Sequence, residues 1–188
     1  MSAYEIPSPA GSSFARLRRI SVAASLFCYL AAALMLVGVV WVWTSPASVL
    51  AYMQSTVGAG AAPAVPSARG YWLGLALSLV PAGLFTLAML RLGRLFGRFR
   101  RGIVLDEGNA VELSRIGWLL FAFGAVTPII RALQSVALTF DNPTGQKQLA
   151  ITLDPGVFGA LAAGAVLVAF GLVLREAVWL ADENQSFV

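Results

Sequence analysis

The chain of 188 residues has no histidine, one cysteine and nine acidic residues. Without histidine there is no usual general base, no imidazole ligand for a metal or haem, and no Ser-His or Cys-His pair. The lone Cys28 closes no intrachain disulfide, and its place inside an apolar run reads as a small packing residue. The acids Glu5, Asp106, Glu107, Glu112, Asp141, Asp154, Glu176, Asp182 and Glu183 all fall in loops, tails or the last turns of a helix. None stands in the middle of an apolar run, where ion-coupled carriers commonly place a carboxylate. The expectation is a protein that is not an enzyme, with no catalytic residue, no metal and no cofactor.

Charge is scarce as well, at 12% against 59% hydrophobic residues, the composition of a membrane chain. Four apolar runs, about residues 20–43, 71–90, 116–138 and 157–180, each approach the ~20 residues a helix needs to cross a bilayer core. Arg16, Arg18 and Arg19 precede the first run, and Arg91, Arg94, Arg98, Arg100, Arg101 and Arg115 lie between the second and third. The other two loops carry only Arg69 and Lys147. Arginine-rich short loops stay in the cytoplasm, so the expectation is an all-α integral membrane bundle of four transmembrane helices with both termini cytoplasmic. Residues 1–19 read as a flexible cytoplasmic tail, 20–180 as the membrane domain with a basic loop at 91–115, and 181–188 as a second cytoplasmic tail. The first run exceeds a secretory signal core, so it is expected to remain as a span.

Aromatic residues agree with this orientation. Trp41, Trp43, Tyr71 and Trp72 mark the outer headgroup level, and Trp118 and Trp179 the inner one. In the outer loop, Thr44 or Ser45 suits the cap of a short helix, with Pro46 in its first turn and Val49, Leu50, Tyr52 and Met53 at the interface. Small residues recur every four positions, at Gly70, Gly74, Ser78 and Ala82 and again at Gly156, Ala160 and Gly164. Such rows let helices pack closely within the bundle; homo-oligomerisation through them is the alternative.

Beyond the second run, Leu92, Leu95, Phe96 and Phe99 share one helical face, and Arg91, Arg94, Arg98 and Arg101 another. With Arg100, this basic amphipathic stretch is a site for anionic headgroups or a protein partner, and direct nucleic-acid binding is not expected. Asp106 is placed to cap the helix leading into the third run, with Asn109 completing the cap. Thr127, Arg131, Gln134 and Ser135 form a polar stripe within that run, beside Pro128. It reads either as structural, with Arg131 reaching headgroups, Asp141 or Asp154, or as a pocket for an anionic or lipid headgroup. At the end of the chain, Asp182 and Glu183 complement the arginines of 91–101, and Gln185 to Val188 suit a short strand against Ile103 to Leu105.

The run from Gly102 to Val111, followed by Leu113, Arg115, Ile116 and Gly117, resembles the middle of the bacterial four-span DUF2975 family. The ending Glu176, Leu180, Asp182, Glu183, Asn184, Ser186 and Val188 is similar to the end of that family. Leu105 replaces an aromatic residue, Asp106 a hydroxyl cap and Gly108 an acidic residue, and Asp106 performs the same capping chemistry. The resemblance implies a multi-pass protein of the bacterial cytoplasmic (inner) membrane without assigned catalysis, from a family whose members often occur beside small helix-turn-helix regulators. The functional expectation is a non-catalytic accessory or regulatory protein that binds a partner through its cytoplasmic loop and tail, or a small subunit of a larger membrane complex. The alternative is an oligomeric transporter or channel for a small anionic or lipid-like molecule.

Overall fold

A computed structural model describes residues 9–57, 67–103, 106–142 and 149–186, without the side chains of 9–14, 46, 53, 56, 57, 181, 182 and 184–186. Every regular element among them is a helix: α1 (Pro9–Thr44), α2 (Pro46–Val57), α3 (Ala68–Arg100), α4 (Glu107–Thr139) and α5 (Pro155–Ser186). Four of these contain stretches long and apolar enough to cross a membrane, Ala15–Thr44, Ala68–Arg100, Glu107–Thr139 and Pro155–Leu180. The protein is a multi-pass membrane protein.

The helices outrun the apolar runs at both termini. Residues 9–19 and 181–186, expected as tails, are turns of α1 and α5. Once a long helix exists, each further residue costs only its own ordering and gains a hydrogen bond, so helix propagates into polar sequence. Pro9 is tolerated at a helix start because the N–H it lacks would have no partner there. The strand expected at 185–188 is not formed at Gln185 and Ser186, which are helical; Phe187, Val188, Val104 and Leu105 lie outside the described residues, as does Lys147.

The helices pack in series. Among the described residues the backbones of α1 and α3, of α3 and α4, and of α4 and α5 come within 8 Å, whereas α5 comes that close to neither α1 nor α3, and α1 does not come that close to α4. The bundle is therefore an open row, with α4 burying the largest share of its apolar stretch and α1 the smallest. The α4–α5 seam is the closest. A Cβ on Gly117 would stand 2.7 Å from the Gly164 carbonyl, one on Gly164 2.6 Å from the Phe121 amide, and one on Gly171 2.8 Å from the Ser114 amide. Ala110, Gly117 and Gly124 face Gly171, Gly164 and Val157 in turn, spaced by seven on both helices, a repeat that holds one face inward on slightly supercoiled helices. The expected row differs on α5: Gly164 is in the seam, but Gly156 is exposed and Ala160 only half-buried. On α3, Gly70, Gly74, Ser78 and Ala82 are all buried as expected.

This register sets α5 low beside α4. Asp154 meets Arg131, so α5 begins about eight residues, or ~12 Å, short of the end of α4. The segment 149–154 runs along that uncovered flank, with the Ala150 N–H donating to Ser135 Oγ at 3.0 Å. At the opposite end, α3 stops in a Schellman turn. Ile103 N–H donates to the Arg98 carbonyl and Gly102 N–H to that of Phe99, with Gly102 at φ 83°, a conformation open to glycine without strain.

Candidate functional site

Four helices meet at one polar junction. Gln134 on α4, 1% exposed, donates from Nε2 to the Gly74 carbonyl (2.9 Å) and to Ser78 Oγ (2.7 Å) of α3. Its Oε1 accepts from the Tyr52 hydroxyl of α2 at 2.8 Å. Trp43 Nε1 of α1 donates to the same Ser78 Oγ at 2.9 Å, and Ser78 donates on to the Gly74 carbonyl at 3.0 Å. Small residues make this geometry reachable: a Cβ on Gly74 would lie 2.2 Å from the Trp43 ring. Trp43 is 4% exposed and packs edge-on against Tyr71 at 5.2 Å, so it is a core residue and not the headgroup marker the sequence suggested. Trp41 and Trp72, at 71% and 65% exposed, remain on the surface. Val49, expected at the interface, is buried under α2 beside Trp43 and Leu138. The side chain of Met53 lies outside the described residues.

The polar stripe of α4 therefore divides. Gln134 belongs to the junction. Ser135 Oγ donates to the Ala132 carbonyl at 2.7 Å and holds the return segment through Ala150. Thr127 donates back to the Phe123 carbonyl at 2.6 Å, just before Pro128 in the helix. Arg131 pairs through Nη1 with Asp154, which also caps α5 by accepting from Val157 N–H at 3.1 Å. The hydrogen bond from Arg131, with the Val157 and Gly156 N–H groups, holds the Asp154 carboxyl below the usual carboxylate range against a smaller opposing effect of burial. Thr127, Arg131 and Gln134, with Tyr52, Ser78 and Trp43, line a cleft of about 310 Å³ between α1 and α4 whose floor is α3.

The arginine-rich end is organised separately. Asp106 accepts from Asn109 N–H at 3.2 Å, the expected cap. Asn109, fully buried, adds an amide bond to the Ile103 carbonyl at 2.9 Å and accepts from Arg98 at 3.3 Å, closing the turn between α3 and α4. Arg91, expected to bind partners, is half-buried and paired within the protein: its Nη1 lies 3.0 and 3.2 Å from the two Glu112 oxygens, with Arg115 at 3.6 Å on the same carboxylate. Arg94, Arg98, Arg100 and Arg101 are exposed and wall a cleft of about 510 Å³ with Ser21, Ser25 and Tyr29 of α1. Among the described residues no acidic one lines it. Glu183 is exposed on α5, whose backbone stays more than 8 Å from that of α3, and the Asp182 side chain lies outside the described residues.

Residues 51–188 match a family model described as protein of unknown function (DUF2975). The chain belongs to that family. In this DUF2975 protein the match takes in most of α2 and all of α3, α4 and α5, and so includes Ser78, Asn109, Arg131, Gln134 and Asp154; α1 with Trp43 precedes it. No curated protein and no solved structure matches the chain.

Sequence patterns found α4's polar positions and Asp154 as one of two acids within reach of Arg131, but not the partners of Gln134. Trp43 and Tyr52 carried the signal of interface aromatics, and Ser78 that of a small residue. The seven-residue spacing of Gly117 with Gly124, and of Gly164 with Gly171, was present in the sequence as a seam signal beside the four-residue rows.

Proposed function

We propose that this is a non-catalytic accessory protein of the bacterial cytoplasmic membrane, which docks an acidic segment of a partner protein at its arginine-rich end. The observation that supports this is the cleft between α1 and α3: four arginines and, among the described residues, no acid in its lining. Concentrated like charge in a concave wall attracts and orients an anionic partner. The helix presenting it is rigid, because the Schellman turn at Gly102 and the Asn109 bridges tie the last turn of α3 to α4. By the positive-inside rule this end and both termini face the cytoplasm, where a soluble regulator or a neighbouring membrane subunit is available. Affinity purification from mild detergent, with wild type beside Arg94→Glu/Arg101→Glu, tests the reading. A partner retained by wild type and lost by the charge reversal is expected; a partner set unchanged by the reversal refutes it.

A further inference from the structure

The cleft between α1 and α4 is distinct from the arginine-rich end and lies toward α2. Its walls, among them Leu34, Val39 and Val42 of α1 and Phe123 and Ile130 of α4, face one another across α3, although the α1 and α4 backbones never come within 8 Å. At about 310 Å³ it is roughly twice the ~150 Å³ apolar cavity that holds a benzene ring, room for a hydrocarbon chain of moderate length. The space is real at Gly38, where an added Cβ would meet nothing within 4 Å.

The polar groups of the cleft gather toward the α2 end. Tyr52, Ser78 and Gln134 satisfy one another, and Thr127 bonds its own helix. Arg131 differs. Among the described residues it is the one charged residue in the lining and is engaged only through Nη1, by Asp154, with its side chain 30% exposed. A guanidinium carries five N–H donors, and a cation within a span is costly unless they are met. Asp154 is held in place by its second task, capping α5, so a further anion would meet the donors left over.

From this combination we infer that the cleft binds one acyl chain of an anionic phospholipid, with the chain along the α1 and α4 walls and the phosphate hydrogen-bonded to Arg131. A small soluble anion lacks the apolar body these walls select. A zwitterionic lipid of the same chains offers a headgroup whose ammonium opposes the contact with Arg131.

The test is native mass spectrometry of the delipidated full chain, titrated with phosphatidylglycerol or with phosphatidylcholine of identical acyl chains. Phosphatidylglycerol should bind with an apparent Kd about tenfold lower, the size of one charge-assisted hydrogen bond. Gly38→Leu, which fills the cleft, should abolish that binding, and Arg131→Gln should bring it to the phosphatidylcholine level. Gly83→Leu, at an exposed position equally free of neighbours, should leave it unchanged. Equal binding of the two lipids overturns the inference, as does phosphatidylglycerol binding that survives Gly38→Leu. Gly38→Leu is decisive even where Arg131→Gln destabilises the protein, and neither result bears on partner capture at the arginine-rich end.

Discussion

Replacing Gln134 by leucine removes three hydrogen bonds, to the Gly74 carbonyl, to Ser78 Oγ and from the Tyr52 hydroxyl, with little change of volume. Interhelical hydrogen bonds in membrane proteins average about 0.6 kcal/mol each, so the loss is about 2 kcal/mol. No further penalty applies at α3, because Ser78 and the Gly74 carbonyl keep their bond to each other. Ser78→Ala also removes three bonds, but it strips the buried Trp43 Nε1 of its acceptor. An orphaned buried donor costs a further ~1–3 kcal/mol, giving roughly 3–5 kcal/mol in all. The two variants share the Gln134–Ser78 bond, so the double variant should be less destabilised than the sum by about 0.6 kcal/mol. Steric-trap unfolding in bicelles measures all four proteins of the cycle. A Gln134→Leu protein as stable as wild type, or strict additivity, would refute the assignment of this junction as the tie between the four helices.

Three further outcomes follow from the geometry. Gly164→Val should separate α4 from α5 at a cost of about 3 kcal/mol or more, since its Cβ meets Phe121 and Gly117 backbone that cannot rotate away, whereas Gly159→Val, facing open space, should be nearly neutral in the same unfolding assay. Gly102→Ala should cost about 1 kcal/mol at φ 83°, read as a lower Tm by circular dichroism, and an unchanged Tm would show that the turn relaxes. The depressed pKa of Asp154 stabilises the fold above the ordinary aspartate range, near pH ~4, and that contribution is lost as pH falls through the lower folded value. The Tm difference between wild type and Asp154→Asn should therefore be constant from neutral pH down to that range and shrink below it; a difference that grows on acidification would reverse the sign.

Much of the fold was legible because hydrocarbon imposes a rule each residue obeys by itself. A helix that spans must be apolar for about twenty residues, and the arginines at 16–19 and 91–101 can only lie outside it. The Asp106 cap was equally legible, since a cap is a contact between residues three apart. Arg131 and Gln134 were visible as polar residues in an apolar helix, and charge left Asp141 and Asp154 both open to Arg131, but Asp154 is 23 residues away and Ser78, the partner of Gln134, is 56. Local pattern carries no record of which distant carboxylate or hydroxyl will stand opposite.

The sequence alone determined the four spans, the basic amphipathic end of α3, the cap of α4 and the absence of imidazole chemistry, because each depends on residue type and short-range spacing. Tertiary structure alone decided that Trp43 turns inward, that Arg91 is claimed by Glu112, and that the helices form an open row. Those outcomes depend on which helices approach closely. Gly74 admits the Trp43 ring and Gly117 admits α5, whereas no close contact draws α1 to α4, and the cleft beside Arg131 lies between them.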